Sequence, residues 1–435
     1  MTVSTICTDI NPLNADPLLV LFGLKVGIGA GLWATLAFLE KTREVYTHYR
    51  GEWGLLSFMI VCSMTVGASN TTGLSRFYGT LIGGVFSFAT WNISRGNAIA
   101  LVFLGWLIAF WNFYLIVARG QAPLGRMTQL AYNVSVLYAF SASTGYDNDE
   151  GEGEGGESPN MTQIVKHRVL SVTCGILWGL IICRVIWPIS ARKKFKEGIS
   201  MLCLQMGLIW KRGPLAILLR SDASRSYLKS GEQAAMQRYA SRLESLRQSA
   251  LHEFELRGPF PFESCGRIMR STRRILDSFY AMSLVTQRSG GQLTEGERAL
   301  LQYTAAERAV LCDRICHIFQ VLASSMMLEY PLTNAVPNIV ALRNNLLSKV
   351  FQFRKIHPPV DSDGEGDGPV SRLTRGESSA AGGSRELDII VEEKDYALLY
   401  AYVLVTGQVA DELGVFEREI EGLYGLLDEN SILLQ

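Results

Sequence analysis

Acidic side chains are missing from six apolar stretches of this 435-residue chain, at residues 18–39, 53–69, 76–93, 97–118, 127–143 and 169–189, although Asp and Glu together number 41. Any cation within those stretches therefore has no counter-charge beside it in sequence. An excess of one charge is missing too, since 41 Lys and Arg balance the 41 acids, and no basic face large enough to displace nucleic-acid counterions is apparent. Nucleic acid is excluded as a partner on that ground. The first 17 residues hold no Lys or Arg, so the charged start of a signal peptide is absent. Histidine is scarce and dispersed, at positions 48, 167, 252, 317 and 357, and neither a phosphate-cradling glycine loop nor a GxSxG elbow occurs. No catalytic set converges, which points away from an enzyme and from transport driven by nucleotide hydrolysis. The eight cysteines are scattered, and Cys62, Cys174 and Cys183 fall within apolar stretches, so no disulfide framework is implied. Cys312 and Cys316 beside His317 offer too few ligands for a metal, and no metal or other cofactor is expected. No second copy of the six-segment unit follows the first.

What is present divides the chain in two. Each of the six stretches has roughly the 17–25 residues a helix needs to cross ~30 Å of hydrocarbon, which predicts an all-α fold with a six-helix transmembrane domain over residues 18–190. The stretch Trp53–Gly84 reads as its centre, a tight hairpin of two spans joined by a polar turn containing Arg76. An even number of spans puts both termini on one side, and the cluster Arg192, Lys193, Lys194 and Lys196 makes that side cytosolic. The acidic tract within loop 144–165 would then face outward, with Asn160-Met161-Thr162 as a glycosylation triplet. After an N-terminal tail at 1–17 and the membrane domain, amphipathic periodicity predicts a cytosolic helical bundle over 191–355. A linker rich in Asp, Gly and Ser at 356–386 follows, and residues 387–435 supply a last helix that packs on the bundle.

Ionisable residues inside a membrane mark function, because a basic group at mid-depth costs about 2.5–3.5 kcal/mol on insertion scales. Lys25 lies inside the first stretch, Arg76 opens the third, and Arg126 and Arg168 stand at span entrances. With no acid in the spans, their partners are backbone carbonyls, lipid phosphates or a passing anion. A basic side chain near a span end also snorkels to headgroups, so both readings stand. Asn133, in the polar fifth stretch, is a further candidate for the anion path. Gly23, Gly27 and Gly31, Gly79 and Gly83, and Gly175 and Gly179 have the four-residue spacing of helix-packing faces.

The segments LKVG (Leu24–Gly27), EWGLLSFMIVCSMTVGASNTTGLSRFYGTLIGG and HRVLSVTCGILWGLIICRVIWPISARKKF resemble the fusaric acid resistance and aromatic acid exporter superfamily. The TVGA, Leu-x-Arg-x-x-Gly-Thr-Leu and Trp-Pro landmarks are shared with plant aluminium-activated malate transporters, which are anion channels. RGPFPFESCGRIMRSTRRILDSFYAM and YPLTNAVPNIVALRNNLLSKV resemble the cytosolic motifs of fungal aromatic acid exporter-like, brefeldin A sensitivity-related proteins. The resemblance implies export or conductance of organic anions, a dimer or pairing with a second six-span half, and residence in the endoplasmic reticulum, another endomembrane or the plasma membrane. It also implies that Lys25 and Arg76 lie near the permeation path. The chain resembles the second half of the longer fungal members. The resulting expectation is a gradient-driven transporter or channel for organic carboxylates, aromatic ones among them, in a lipid bilayer. The alternative is a membrane scaffold whose cytosolic bundle binds a trafficking partner.

Overall fold

A computed structural model describes residues 17–144, 161–219, 227–229, 231–254, 258–288, 293–333, 339–357 and 391–427. The expected N-terminal tail, most of the acidic loop with Asn160, and most of the linker lie outside the described residues. The architecture is all-α apart from one short parallel pairing, β1 (Leu332–Thr333) with β2 (Leu426–Leu427). In chain order the helices are α1 (Pro17–Phe38), α2 (Glu40–His48), α3 (Gly51–Val61), α4 (Val66–Ser94), α5 (Ala98–Ala118), α6 (Ala122–Thr144) and α7 (Met161–Val185). Then come α8 (Ala191–Lys211), α9 (Glu232–Leu251), α10 (Phe262–Arg288), α11 (Glu295–Tyr303), α12 (Ala305–Leu328), α13 (Ile339–Ile356) and α14 (Ala397–Tyr424).

The chain forms two units. One runs up to Lys194 and takes in Leu246–Phe260, whereas the other comprises Phe195–Ser245 and the chain from Pro261 onward. Residues 246–260 thus return to the unit that holds the apolar helices.

In the first unit α4 packs chiefly against α6 and α7, α3 packs against α7, and α5 covers α6. Leu19–Phe38 and Ala98–Ala118 are long and apolar enough to cross a bilayer, and only 11% of each is buried, so most of their apolar surface is turned outward. Met161–Val185 also qualifies by length and composition. Helices α4 and α6, with 29 and 23 residues, are long enough but more polar. The expected second span is the exception. Its helix α3 has 11 residues and rises about 16 Å, half of what a bilayer requires.

The expected hairpin turn is also displaced. The break falls at residues 62–65, where Thr65 is extended and its hydroxyl accepts from the Ala68 N–H, and α4 runs straight through the polar stretch after Ala68. Those polar groups are satisfied without ending the helix: Thr71 bonds back to the Ala68 carbonyl at 2.8 Å, and Asn70 donates to the carbonyl of His252 at 2.9 Å. The sixth stretch begins eight residues earlier than expected, at Met161 instead of residue 169, and ends at Val185. Trp187 then adopts φ 42°, and the residue before a proline avoids the helical region, so Pro188 sets the end.

The second unit is a helical bundle in which α10 lies along α14, with α12 and α13 alongside. Its centre is aromatic: the Trp210 ring stands 5.5 Å from Phe279 and 6.3 Å from Tyr402, and Phe279 meets Phe319 at 6.4 Å. Helix α12 is itself apolar enough to span a bilayer, but 56% of that window is buried within the chain and it carries the buried Arg308. Outside this core, Arg267–Glu419 and Arg274–Glu412 tie α10 to α14.

Candidate anion site

Close helix contact brings the site together. A Cβ on Gly79 would stand 2.6 Å from that of Met127, and one on Gly83 would meet the Thr128 carbonyl at 2.7 Å, so α4 and α6 touch backbone to backbone there. On α7, a Cβ on Gly175 would lie 2.1 Å from the Gly54 carbonyl oxygen, and Gly179 faces Val61 and Phe58. Small residues permit this approach where association depends on packing. Gly23, Gly27 and Gly31 differ: nothing in the chain stands within 4 Å of a Cβ at any of them, and the glycine of α1 that meets Phe58 and Ile182 is Gly29. The expected packing face of α1 is thus rotated away from its neighbours within this chain.

Three basic residues are buried in this unit: Lys25, Arg76 and Arg168 are 3%, 2% and 7% exposed. Lys25 is accounted for by the backbone. Its ammonium donates to the carbonyls of Cys183 at 2.8 Å and Trp187 at 3.5 Å, at the end of α7 where carbonyls lack helical partners and a cation is favoured. Arg76 has far less. One guanidinium nitrogen, Nη1, lies 3.0 Å from the Met127 sulfur, a weak acceptor, and its buried Nε–H finds no partner. Arg168 places its guanidinium 4.0 Å over the ring of Trp53, and the charge of Arg76 acts on it.

Arg76 and Arg168 are thus two buried guanidiniums on helices packed against each other, α4 and α7. None of the ion pairs among the described residues involves either of them or Lys25. A buried donor without an acceptor costs about 1–3 kcal/mol, and like charges in a poorly screened site add to that. Arg76 lies ten residues inside α4 and Arg168 seven inside α7, so neither stands at a helix entrance, where the sequence places them.

Arg126 and Asn133 are not part of this pair. Both are exposed on α6, seven residues apart and hence on one face. Asn133 ends a chain of amides in which buried Asn112 donates to Gln129 at 2.8 Å and Gln129 donates to Asn133 at 2.9 Å. Sequence reasoning did not find Trp53, Met127 or Asn112. Trp53 and Arg168 are far apart in the chain, and no local pattern announces their stacking.

Fold and site together define an integral, multi-pass membrane protein with a buried cationic centre and an appended helical bundle. Residues 26–182 match the family described as fusaric acid resistance protein-like. An Arabidopsis thaliana protein described as aluminum-activated malate transporter 3 is 26% identical over 181 residues, 41% of this chain. The chain covers 29% of the length of that relative.

Proposed function

We propose that the chain carries organic carboxylate anions, aromatic ones among them, across a membrane down a gradient, with Arg76 and Arg168 as the anion's binding groups. One observation carries this reading: two buried guanidiniums without an acidic partner, one with an unsatisfied N–H, on helices held together by glycine. The family match and the malate transporter relative support the substrate class. Lys25 fixes the end of α7 and contributes positive potential, while Arg126 and Asn133 form a polar strip on α6. A polar strip is costly against lipid, which supports pairing with a second copy or a second six-helix half. The basic cluster from Arg192 to Lys196 favours a cytosolic location for the bundle and both termini, in an endomembrane or the plasma membrane.

The test is uptake of labelled benzoate and malate into proteoliposomes containing the full chain, with and without an inside-positive potential. Saturable, potential-stimulated uptake is expected, falling at least tenfold in Arg76→Gln with Arg168→Gln. Unchanged uptake in a folded double variant refutes the site. No uptake of any organic anion moves the function to the scaffold reading, in which the bundle binds a trafficking partner.

A further inference from the structure

The sulfurs of Cys62 and Cys183 lie 3.9 Å apart, near van der Waals contact, although 121 positions separate them in the chain. Cys62 ends α3 with an extended backbone at the four-residue break before α4, and Cys183 is buried on α7. Their surroundings join four helices. The Cys183 thiol donates to the Cys62 sulfur and accepts from Ser69 of α4, while the Cys183 carbonyl accepts from Lys25 of α1. Ser69 in turn holds the break by accepting from the Ser63 N–H at 3.1 Å. The other neighbouring cysteines, Cys312 and Cys316, direct their thiols at the carbonyls of Trp210 and Gly207, each at 3.3 Å.

We propose that Cys62 and Cys183 are an oxidisable thiol pair, through which a hydroperoxide fastens the α3–α4 corner to α7. To bond, the sulfurs must close to about 2.05 Å, and one of them sits on irregular backbone that can follow. The first thiolate attacks a peroxide oxygen, the O–O bond breaks, and a sulfenic acid and water result. The second thiol then attacks that sulfur, the S–O bond breaks, and the disulfide forms with loss of a second water. Two thiols and one hydrogen peroxide thus give one disulfide and two waters, the two electrons passing from sulfur to oxygen. The bond would span the corner that must shift if α4, which carries Arg76, moves against α7, which carries Arg168. Oxidation therefore slows anion passage, a consequence that rests on the transport reading above.

The experiment treats the full chain in proteoliposomes with hydrogen peroxide, blocks remaining thiols with N-ethylmaleimide and maps disulfides by non-reducing digestion and mass spectrometry. A cross-linked peptide joining Cys62 to Cys183 is expected as the main product, absent from Cys62→Ser and from Cys183→Ala and reversed by dithiothreitol. Benzoate uptake should fall several-fold on oxidation and recover on reduction, in the native chain and not in Cys62→Ser. Recovery of both cysteines as maleimide adducts, at a peroxide dose that oxidises exposed Cys174, overturns the pairing. A bond without any change in uptake overturns its control of the path. If the reduced chain takes up no anion, the transport reading fails, and the peptide map alone decides the pairing.

Discussion

At the scale of single residues, the three buried cations of the first unit divide by what their N–H groups meet. Lys25 spends its charge on two carbonyls, and Arg168 rests on the Trp53 ring, whereas Arg76 has a sulfur and an empty Nε–H. The absence of acids from the spans was legible in the sequence and already implied this shortage. Which cation bears it was not, because the candidate acceptors are carbonyls and a thioether contributed by distant helices. A buried charge without a counter-charge carries a desolvation cost that an apolar side chain of similar volume does not. Arg76→Met should therefore raise the melting temperature of the detergent-solubilised chain by several degrees, while removing the further rise that millimolar benzoate gives the native protein. A lower melting temperature in the variant, with the benzoate shift intact, would make Arg76 a structural residue and clear it of anion binding.

Among the elements, α3 and α4 depart most from what the sequence suggests. The run after Ala68 combines Ser, Asn, Thr and Gly, which in water marks a turn. Within the protein the Thr71 hydroxyl bonds back to its own helix and the Ser69 hydroxyl bonds Ser63 and Cys183, so the run continues α4 and the break moves to Thr65, which supplies a cap. Helix α7 starts early for a related reason: Lys166, His167 and Arg168 are polar residues ahead of the apolar stretch, yet His167 packs its ring 4.9 Å from that of His48 and Arg168 stacks on Trp53. The glycines at four-residue spacing meet neighbouring helices on α4 and α7 and open space on α1, because a four-residue interval fixes a face and not what lies opposite it. Alanine substitution separates the two cases. In Gly175→Ala the added carbon would overlap the Gly54 carbonyl, a backbone group that cannot swing aside, and overpacking of this kind costs typically 1–3 kcal/mol. Gly27→Ala meets open space and gains helix propensity of up to about 1 kcal/mol. Melting in detergent should drop by several degrees for the first and hold or rise for the second, and equal losses would mean that the α1 face is covered by a second copy of the chain.

For the whole molecule, two units divide the chain, and segment 246–260 returns to the unit that runs up to Lys194. It is held by backbone carbonyls of His252, Phe254 and Gly258, which accept from Asn70, Arg184 and Arg192, and by the Glu253 carboxylate, which accepts from the Ser190 hydroxyl and the Arg192 N–H. Carbonyls are common to every sequence, so only Glu253 was there to be noticed. The two units should also respond differently to acid, since the buried cations of the first keep their charge while the second contains coupled carboxylates. Burial alone would push the Glu232 carboxyl up, but the Arg212 guanidinium, bonded at 2.7 and 2.8 Å, outweighs it and holds Glu232 below its ordinary value of 4.5. A carboxyl depressed by folding contributes stability that is complete above the unfolded value and is lost as pH falls through the folded one. Glu417 runs the other way, since burial and the charge of Glu421 raise it, and protonating it on acidification relieves strain instead of adding it. Because Glu232 is 7% exposed and Arg212 24%, breaking their pair should cost about 2–4 kcal/mol, against the 3–5 kcal/mol of a fully buried one. Urea unfolding followed by circular dichroism should therefore show Arg212→Ala destabilised by that amount at pH 7 and by less as acid protonates Glu232, with Glu417→Gln stabilised at pH 7. A loss in Arg212→Ala that stays constant between pH 7 and pH 3 would show that Arg212 acts through the Tyr227 carbonyl it also holds, at 3.2 Å, and not through Glu232.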